Sequence, residues 1–256
     1  MQYGVPVFEF VLMAAVVVAL SAHKAAAQED SREETHQTFQ LSSFPRVAVL
    51  NINSRVTIES SDSDTAEVEI VRVARQQNDL KYHPVMIEHT ADSLKIQGEE
   101  NRAAYGRGIQ VEQQLKLKIP RHVQLEIEGV GGAVHIGQVD GPLKVRRVSG
   151  ALTIEQVAGS LDVSNVGSDL RATMGHLDQN GIHINQVGGE VELRFADEVN
   201  AELSAKSIGG SFYVNLPNAN MSAPESAVSL SARIGMGGAP ISLVKIGGTV
   251  RLAHGS

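Results

Sequence analysis

The sequence predicts an all-β chain: a parallel β-solenoid of about 18–21 residues per coil, two short strands per coil, preceded by antiparallel β-hairpins. Three observations predict it. A nine-residue pattern is written four times between residues 132 and 167. Short alternations of apolar and polar residues fill the chain before and after it. No stretch carries a helical period.

The four units begin Gly132, Val134, Ile136, Val139; then Gly141, Leu143, Val145, Val148; then Gly150, Leu152, Ile154, Val157; then Gly159, Leu161, Val163, Val166. Two apolar residues two apart share one face of a strand, because side chains alternate. The residues between and after them (His135, Lys144, Thr153, Asp162; Arg146, Glu155, Ser164) mark the outer face. The valine restores an inward contact after a bend, and glycine opens each unit where the chain turns sharply.

Nine residues of extended chain cover about 30 Å, and two crossings between sheets about 10 Å apart use about 20 Å of that. Eighteen residues give about 60 Å, enough for a strand on each side. Each nonapeptide is therefore half a coil. Residues eighteen apart should stack: Val134 on Leu152, Leu143 on Leu161, Lys144 beside Asp162. Val187-Gly-Gly189, Ile208-Gly-Gly210 and Ile246-Gly-Gly248 open later units, 21 and then 38 residues apart, as coils of varying length with insertions would. Ser168 to Gly181 departs from the regular rhythm, and Met174 to Gly181 reads as a bulged loop.

Taken from the start, Phe10 to Leu20 is an unbroken apolar run ending near Ala25-Ala-Ala27, a secretory signal pattern with cleavage expected after Ala27. The run is shorter than the ~20 residues a bilayer span needs. The segment before it carries Glu9 and no Lys or Arg, which departs from the usual basic start. Residues 28–45 read as a disordered polar tail, and residues 46–256 as a single solenoid-like domain. Within it, Val47/Val49 and Val56/Ile58 about the turn Asn51 to Ser54 predict a hairpin. Val85/Ile87 and Leu94/Ile96 about Thr90 to Ser93 predict another. Gly98 to Gly108 reads as a loop, Leu115, Leu117 and Ile119 as a strand ended by Pro120, and Asn218 to Ser226 as a polar loop.

These residues resemble bacterial DUF4097 β-strand-repeat proteins, often described as candidate adhesins. The resemblance rests on Arg46 to Gly98, Leu117-Lys-Ile-Pro120, the glycine-spaced repeat and Gly235-Met-Gly-Gly-Ala-Pro-Ile-Ser-Leu243 with Gly247-Gly248, and covers residues 46–252. It implies a β-solenoid envelope protein, with some relatives tied to envelope-stress signalling and no catalytic residues to carry over.

Composition narrows function by exclusion. The net charge of −7 argues against nucleic acid or an anionic membrane as the main partner. There is no cysteine, hence no disulfide or thiolate metal site. The residues closing each unit are Asp140, Ser149, Ala158 and Gly167, so the carboxylate ladder of calcium-binding β-rolls is missing. His176 and His183 flank Asp178 as solvated loop residues short of a ligand set. The glycines at 129–132 and 235–238 read as turns, and Ser242-Leu-Val-Lys245 lacks the companion motifs of a Ser-x-x-Lys enzyme.

One compact basic cluster remains: Lys144, Arg146 and Arg147, a candidate surface patch for an anionic envelope polymer. The expectation is an exported protein of the periplasm or cell surface, without cofactor, in a non-enzymatic structural, adhesin-like or partner-binding role. Its partner would be an envelope protein or polymer. An envelope-stress sensor and a carbohydrate-active β-helix enzyme are the alternatives, the second set back by the absence of tryptophan.

Overall fold

The computed structural model describes residues 30–99, 111–223 and 229–255. The expected signal segment (1–27) and most of the Gly98–Gly108 loop lie outside the described residues. Among the described residues there are nineteen strands: β1 Ser31–Gln40, β2 Arg46–Leu50, β3 Arg55–Ser61, β4 Thr65–Ala74, β5 Val85–Thr90, β6 Ser93–Gly98, β7 Val111–Pro120, β8 Gln124–Val130, β9 Val134–Val139 and β10 Leu143–Val148. There follow β11 Leu152–Val166, β12 Leu170–Val187, β13 Val191–Phe195, β14 Ala201–Ile208, β15 Phe212–Leu216, β16 Ala219–Ala223, β17 Ser229–Ile234, β18 Ala239–Ile246 and β19 Val250–His254. Among the described residues one 3-10 turn, Gln77–Tyr82, interrupts them.

The predicted eighteen-residue stacking is what the strands do. Leu143 pairs with Leu161 and Lys144 with Asp162 in parallel register, and Leu152 pairs with Val134. Strands β11 and β12 are long because each spans two half-coils. The first half of β11 lies against β9, and its second half against β10. One run of parallel strands is β6, β2, β8, β10, the end of β11, the end of β12, β18 and β14. The other is β7, β3, β9, the start of β11, the start of β12, β13, β19 and β15. The shared strands join both runs into one mixed sheet that curls round nearly to closure. Inward residues from both runs form one continuous core, in which Val134, Leu143, Leu152, Leu161 and Leu170 are all buried.

Among the described residues, seven steps from the first run to the second pass through a left-handed residue just before the inward valine or isoleucine. These are Asn51, Gly129, Arg147, Asn165, Gln186, Lys245 and Ser207, in stacking order. That one conformation turns the chain and returns the next side chain inward. The residue after the valine then donates its N–H to the coil beneath, as Gly167 does to Val148 O and Gly247 to Val187 O. A Cβ on Gly167 would lie 2.3 Å from Ser149 O, so glycine there is a condition of the stacking.

Several sequence expectations need correction. Residues 46–58 do not form a hairpin. β2 and β3 pair with different neighbours, all parallel, and together make one coil. Alternation is blind to which strand a strand pairs with, and the left-handed Asn51 sends the chain across to the other run. The β5–β6 hairpin is antiparallel as predicted. Ser31 to Gln40, inside the expected tail, is an ordered strand antiparallel to β4. Its polar side chains suit an edge strand, whose stability comes from backbone pairing and which charge protects from further strand addition. The polar loop after Leu216 is a tight turn followed by β16, antiparallel to β15. Met174–Gly181 lies within β12, with the bulge appearing as register shifts against β11.

The coils also do not stack in chain order at the ends. β18 and β19 slot between the β12–β13 coil and the β14–β15 coil. The far edges of β14 and β15 are covered by antiparallel β17 and β16, so the last coil has only the inner edges to join. The amino-terminal end mirrors this: the β2–β3 coil lies between β6–β7 and β8–β9, and β5, β4 and β1 cover the end antiparallel.

Candidate functional site

The inward phase of β7 reads Val111, Gln113, Leu115, Leu117, Ile119. Gln113 is thus a polar residue in a core position, 3% exposed. Among the described residues the one other buried polar side chain is His83, 8% exposed. Both line the same cleft, a hollow of about 730 Å³ at the amino-terminal end of the left-handed corner.

His83 follows the 3-10 turn, and donors from two strands fix its backbone. Gln113 Nε2 donates to His83 O at 2.9 Å, and Arg72 Nη1 donates to His83 O at 3.0 Å and to Leu80 O at 3.1 Å. Arg72 Nη2 reaches Glu33 Oε1 on β1 at 2.6 Å. This wall is therefore anchored through β4, β7 and β1 together. The facing wall comes from successive corners: Asn51 and Asn53, then Gly129 and Gly131, then Arg147 and Ser149. The end of β6 completes the cleft with Gln97, Gly98 and Glu99. Its polar lining is dominated by carboxamides. Among its described residues the two formally charged groups are Glu99 and Arg147, and Arg147 Nη2 is bridged to Glu128 Oε1 at 2.6 Å.

The three residues of the predicted basic patch lie among acids of the neighbouring coils. Lys144 and Arg146 lie on the outer face of β10, Lys144 in register between Glu126 and Asp162, and Arg146 between Glu128 and Ser164. Arg147 leaves that face at its left-handed corner (φ 53°) and lines the cleft. Acidic residues on the adjoining coils thus interleave the three cations. Of the predicted residues, Arg147 alone joins the cleft.

A smaller hollow of about 240 Å³ sits over Gly137 on the outer face of the second run. Its acids already have partners: His135 Nε2 is 3.1 Å from Glu155 Oε1, and Lys116 Nζ 2.9 Å from Glu59 Oε1. The hydrogen bond and charge of Glu59 hold the Lys116 ammonium above its ordinary value. In the bulge of β12, Asp178 Oδ1 accepts from the backbone N–H of Asn180 and Gly181, and His183 Nε2 meets Asn180 O. Those side chains stabilise the local turn. Among the described residues no three of His, Asp and Glu are gathered for a metal ion.

The sequence carried one overlooked signal for this site. Extending the Leu115–Leu117–Ile119 alternation back by two places Gln113 inward. Nothing local marks His83, because its burial depends on Arg72 and Gln113, distant in sequence.

Stacked two-strand coils with antiparallel end strands and a cleft at one corner define a solenoid-like β-repeat protein. The chain belongs to the Toastrack DUF4097 family, whose model matches residues 124–252. No curated protein matches the sequence. Among solved structures, a candidate cell adhesion protein from Clostridium sporogenes ATCC 15579 is similar at 12% identity and TM-score 0.38, over 88% of this chain and 100% of that one. A candidate adhesin from Bacteroides fragilis NCTC 9343 is similar at 10% identity and TM-score 0.34, over 87% and 98%.

Proposed function

We propose that this chain is an exported cell-envelope protein that captures a partner without transforming it, an adhesin-like role, with the corner cleft as its binding site. The observation that carries this reading is the meeting of both buried polar side chains, His83 and Gln113, at that one cleft. Burying polar groups costs stability unless they are satisfied, and here the bond from Gln113 to His83 O offsets that cost while fixing one wall of the cleft, the preorganisation that a binding site uses. The apolar segment Phe10 to Leu20 and the small residues after it support export. A stack of coils suits a binding role, since each coil holds its neighbour and the site is carried on strand ends and the corners between them.

The test is cell fractionation with the mass of the native protein. The expected result is a chain beginning at Gln28 in the envelope fraction, and purified protein that retains envelope material and releases it unchanged in mass. An intact chain with Met1 in the cytosol, or chemical change in the retained material, would overturn the proposal.

A further inference from the structure

We infer that the cleft recognises the main chain of an extended peptide segment; this rests on the binding role proposed above and names its ligand. Three accessible carboxamides, Asn51, Asn53 and Gln97, line the cleft beside Gln113, which is buried and already donates to His83 O. A carboxamide presents both N–H donors and a carbonyl acceptor, the same groups a peptide unit offers in reverse. A row of them can pair with N–H and C=O groups of a passing chain whatever its side chains are. The cleft lies where three coils present their corners in succession, at Asn51, Gly129 and Arg147. Adjacent coils are about 4.8 Å apart, so these corners span about 10 Å, the length of about three extended residues.

Gly98, Gly129 and Gly131 let Asn51 and Asn53 pack close at the corner, since a Cβ there would lie 2.3 Å from Asn51 O, 2.6 Å from Asn51 Oδ1 and 2.5 Å from Asn53 Oδ1, and this holds the two carboxamides in place. The lining does not suit the alternatives. No Phe, Tyr or Trp among its described residues offers a stacking platform for sugar faces. Among its described residues the one arginine is bridged to Glu128 and faces a cleft that also holds Glu99, so these residues concentrate no positive charge for a phosphate or anionic polymer. The inner wall is preorganised, because Gln113 and Arg72 fix His83 O before any ligand arrives, which lowers the ordering cost of binding.

The experiment uses the purified protein and an immobilised library of unstructured ten-residue peptides, with an oligosaccharide array in parallel. The tightest peptide is remade with N-methylated peptide bonds, which removes donors without changing side chains. Asn53→Ala and Gln97→Ala remove cleft carboxamides. Asn51→Gly removes another while keeping the left-handed backbone that glycine adopts freely. Asn165→Gly makes the same change at a left-handed corner outside the cleft and serves as the control. The expected result is peptide binding that weakens about tenfold on N-methylation and by about that factor in each cleft variant, the worth of one or two hydrogen bonds, with Asn165→Gly unchanged. Melting curves of the variants separate lost contacts from lost fold, and Asn53, being exposed, can be truncated without disturbing the core.

Failure to bind any peptide, binding indifferent to N-methylation or to the carboxamide variants, or retention of oligosaccharides alone would overturn the inference. Envelope material retained equally by the cleft variants would sink peptide recognition while leaving the envelope-binding role intact. Peptide binding by a protein found only in the cytosol would do the reverse.

Discussion

Arg72 and Gln113 sit directly opposite each other in the antiparallel pairing of β4 and β7, and both donate to the carbonyl oxygen of His83, at 3.0 and 2.9 Å. Directly opposed residues share a face, so this pair occupies the inward side of the sheet where the apolar core gives way to the cleft. The two donors are unequal. Gln113 gives the wall one neutral hydrogen bond. Arg72 gives three charge-assisted contacts, to His83 O, Leu80 O and Glu33.

Arg72→Ala should therefore destabilise more than Gln113→Ala. A neutral bond contributes about 0.5–1.5 kcal/mol and a charge-assisted one about 1.5–3 kcal/mol, while orphaned buried partners add to either loss. Expected costs are about 1–2 kcal/mol for Gln113→Ala and about 3–4 kcal/mol for Arg72→Ala, read from chemical denaturation. The opposite ranking would show that Arg72 is not what holds the wall.

The left-handed corner supplies a sharper contrast. Gln186 adopts φ 64° between the Asn165 and Lys245 corners. Glycine reaches that region without strain, whereas a β-branched residue crowds its own backbone there. Gln186→Gly should stay within about 1 kcal/mol of wild type, because relief of strain offsets the greater freedom of the unfolded chain. Gln186→Val should cost about 1–3 kcal/mol. Gln186 is exposed, so burial differences do not confuse the comparison, and thermal melts of the two variants decide it.

The interior coils were legible because their information is local. Val134, Leu143, Leu152 and Leu161 declare both the face and the period, and geometry alone then makes each nonapeptide half a coil. The ends were not legible, because what distinguishes them is partner choice. Val47, Val49, Val56 and Ile58 alternate equally well in a hairpin and in a parallel coil, and nothing near Asn51 in sequence says that β8 and β9 lie alongside. Ser31 to Gln40 has one large apolar residue, Phe39, too little to mark a face in the sequence, and the strand forms along the edge of β4. The cleft is assembled from just these non-local pairings, so of its residues only Arg147 stood out beforehand, and for a different reason.

Calcium removal should leave thermal stability unchanged. Of the residues closing the four nonapeptides only Asp140 is acidic, and its carboxylate already lies 3.5 Å from His122 Nδ1. A calcium ion takes six to eight oxygens, about twice what any single turn with one carboxylate can supply. Melting curves with and without chelator should superimpose, and a fall of several degrees on chelation would mean that the turns bind metal.

The last prediction concerns the core. Leu152 and Leu161 are both fully buried, on opposite runs of strands, Leu152 between Val134 and Leu170, and Leu161 between Leu143 and Ile182. Thr153, one residue from Leu152, is half-buried on the outer face between His135 and Arg171. Leu152→Ala removes packing on both sides of a close-packed column and should cost about 2–5 kcal/mol. Thr153→Ala loses only outer-face contacts and should stay within about 0.5 kcal/mol. Coils touch only their neighbours, so hydrogen exchange in Leu152→Ala should quicken first at Val134 and Leu170, and later at Val250, which sits beyond the β12–β13 coil. Equal destabilisation by the two substitutions would mean that the faces are assigned wrongly. Uniform quickening of exchange along the whole chain would mean that the stack unfolds as one unit, and the nearest-neighbour account of its stability would have to be abandoned.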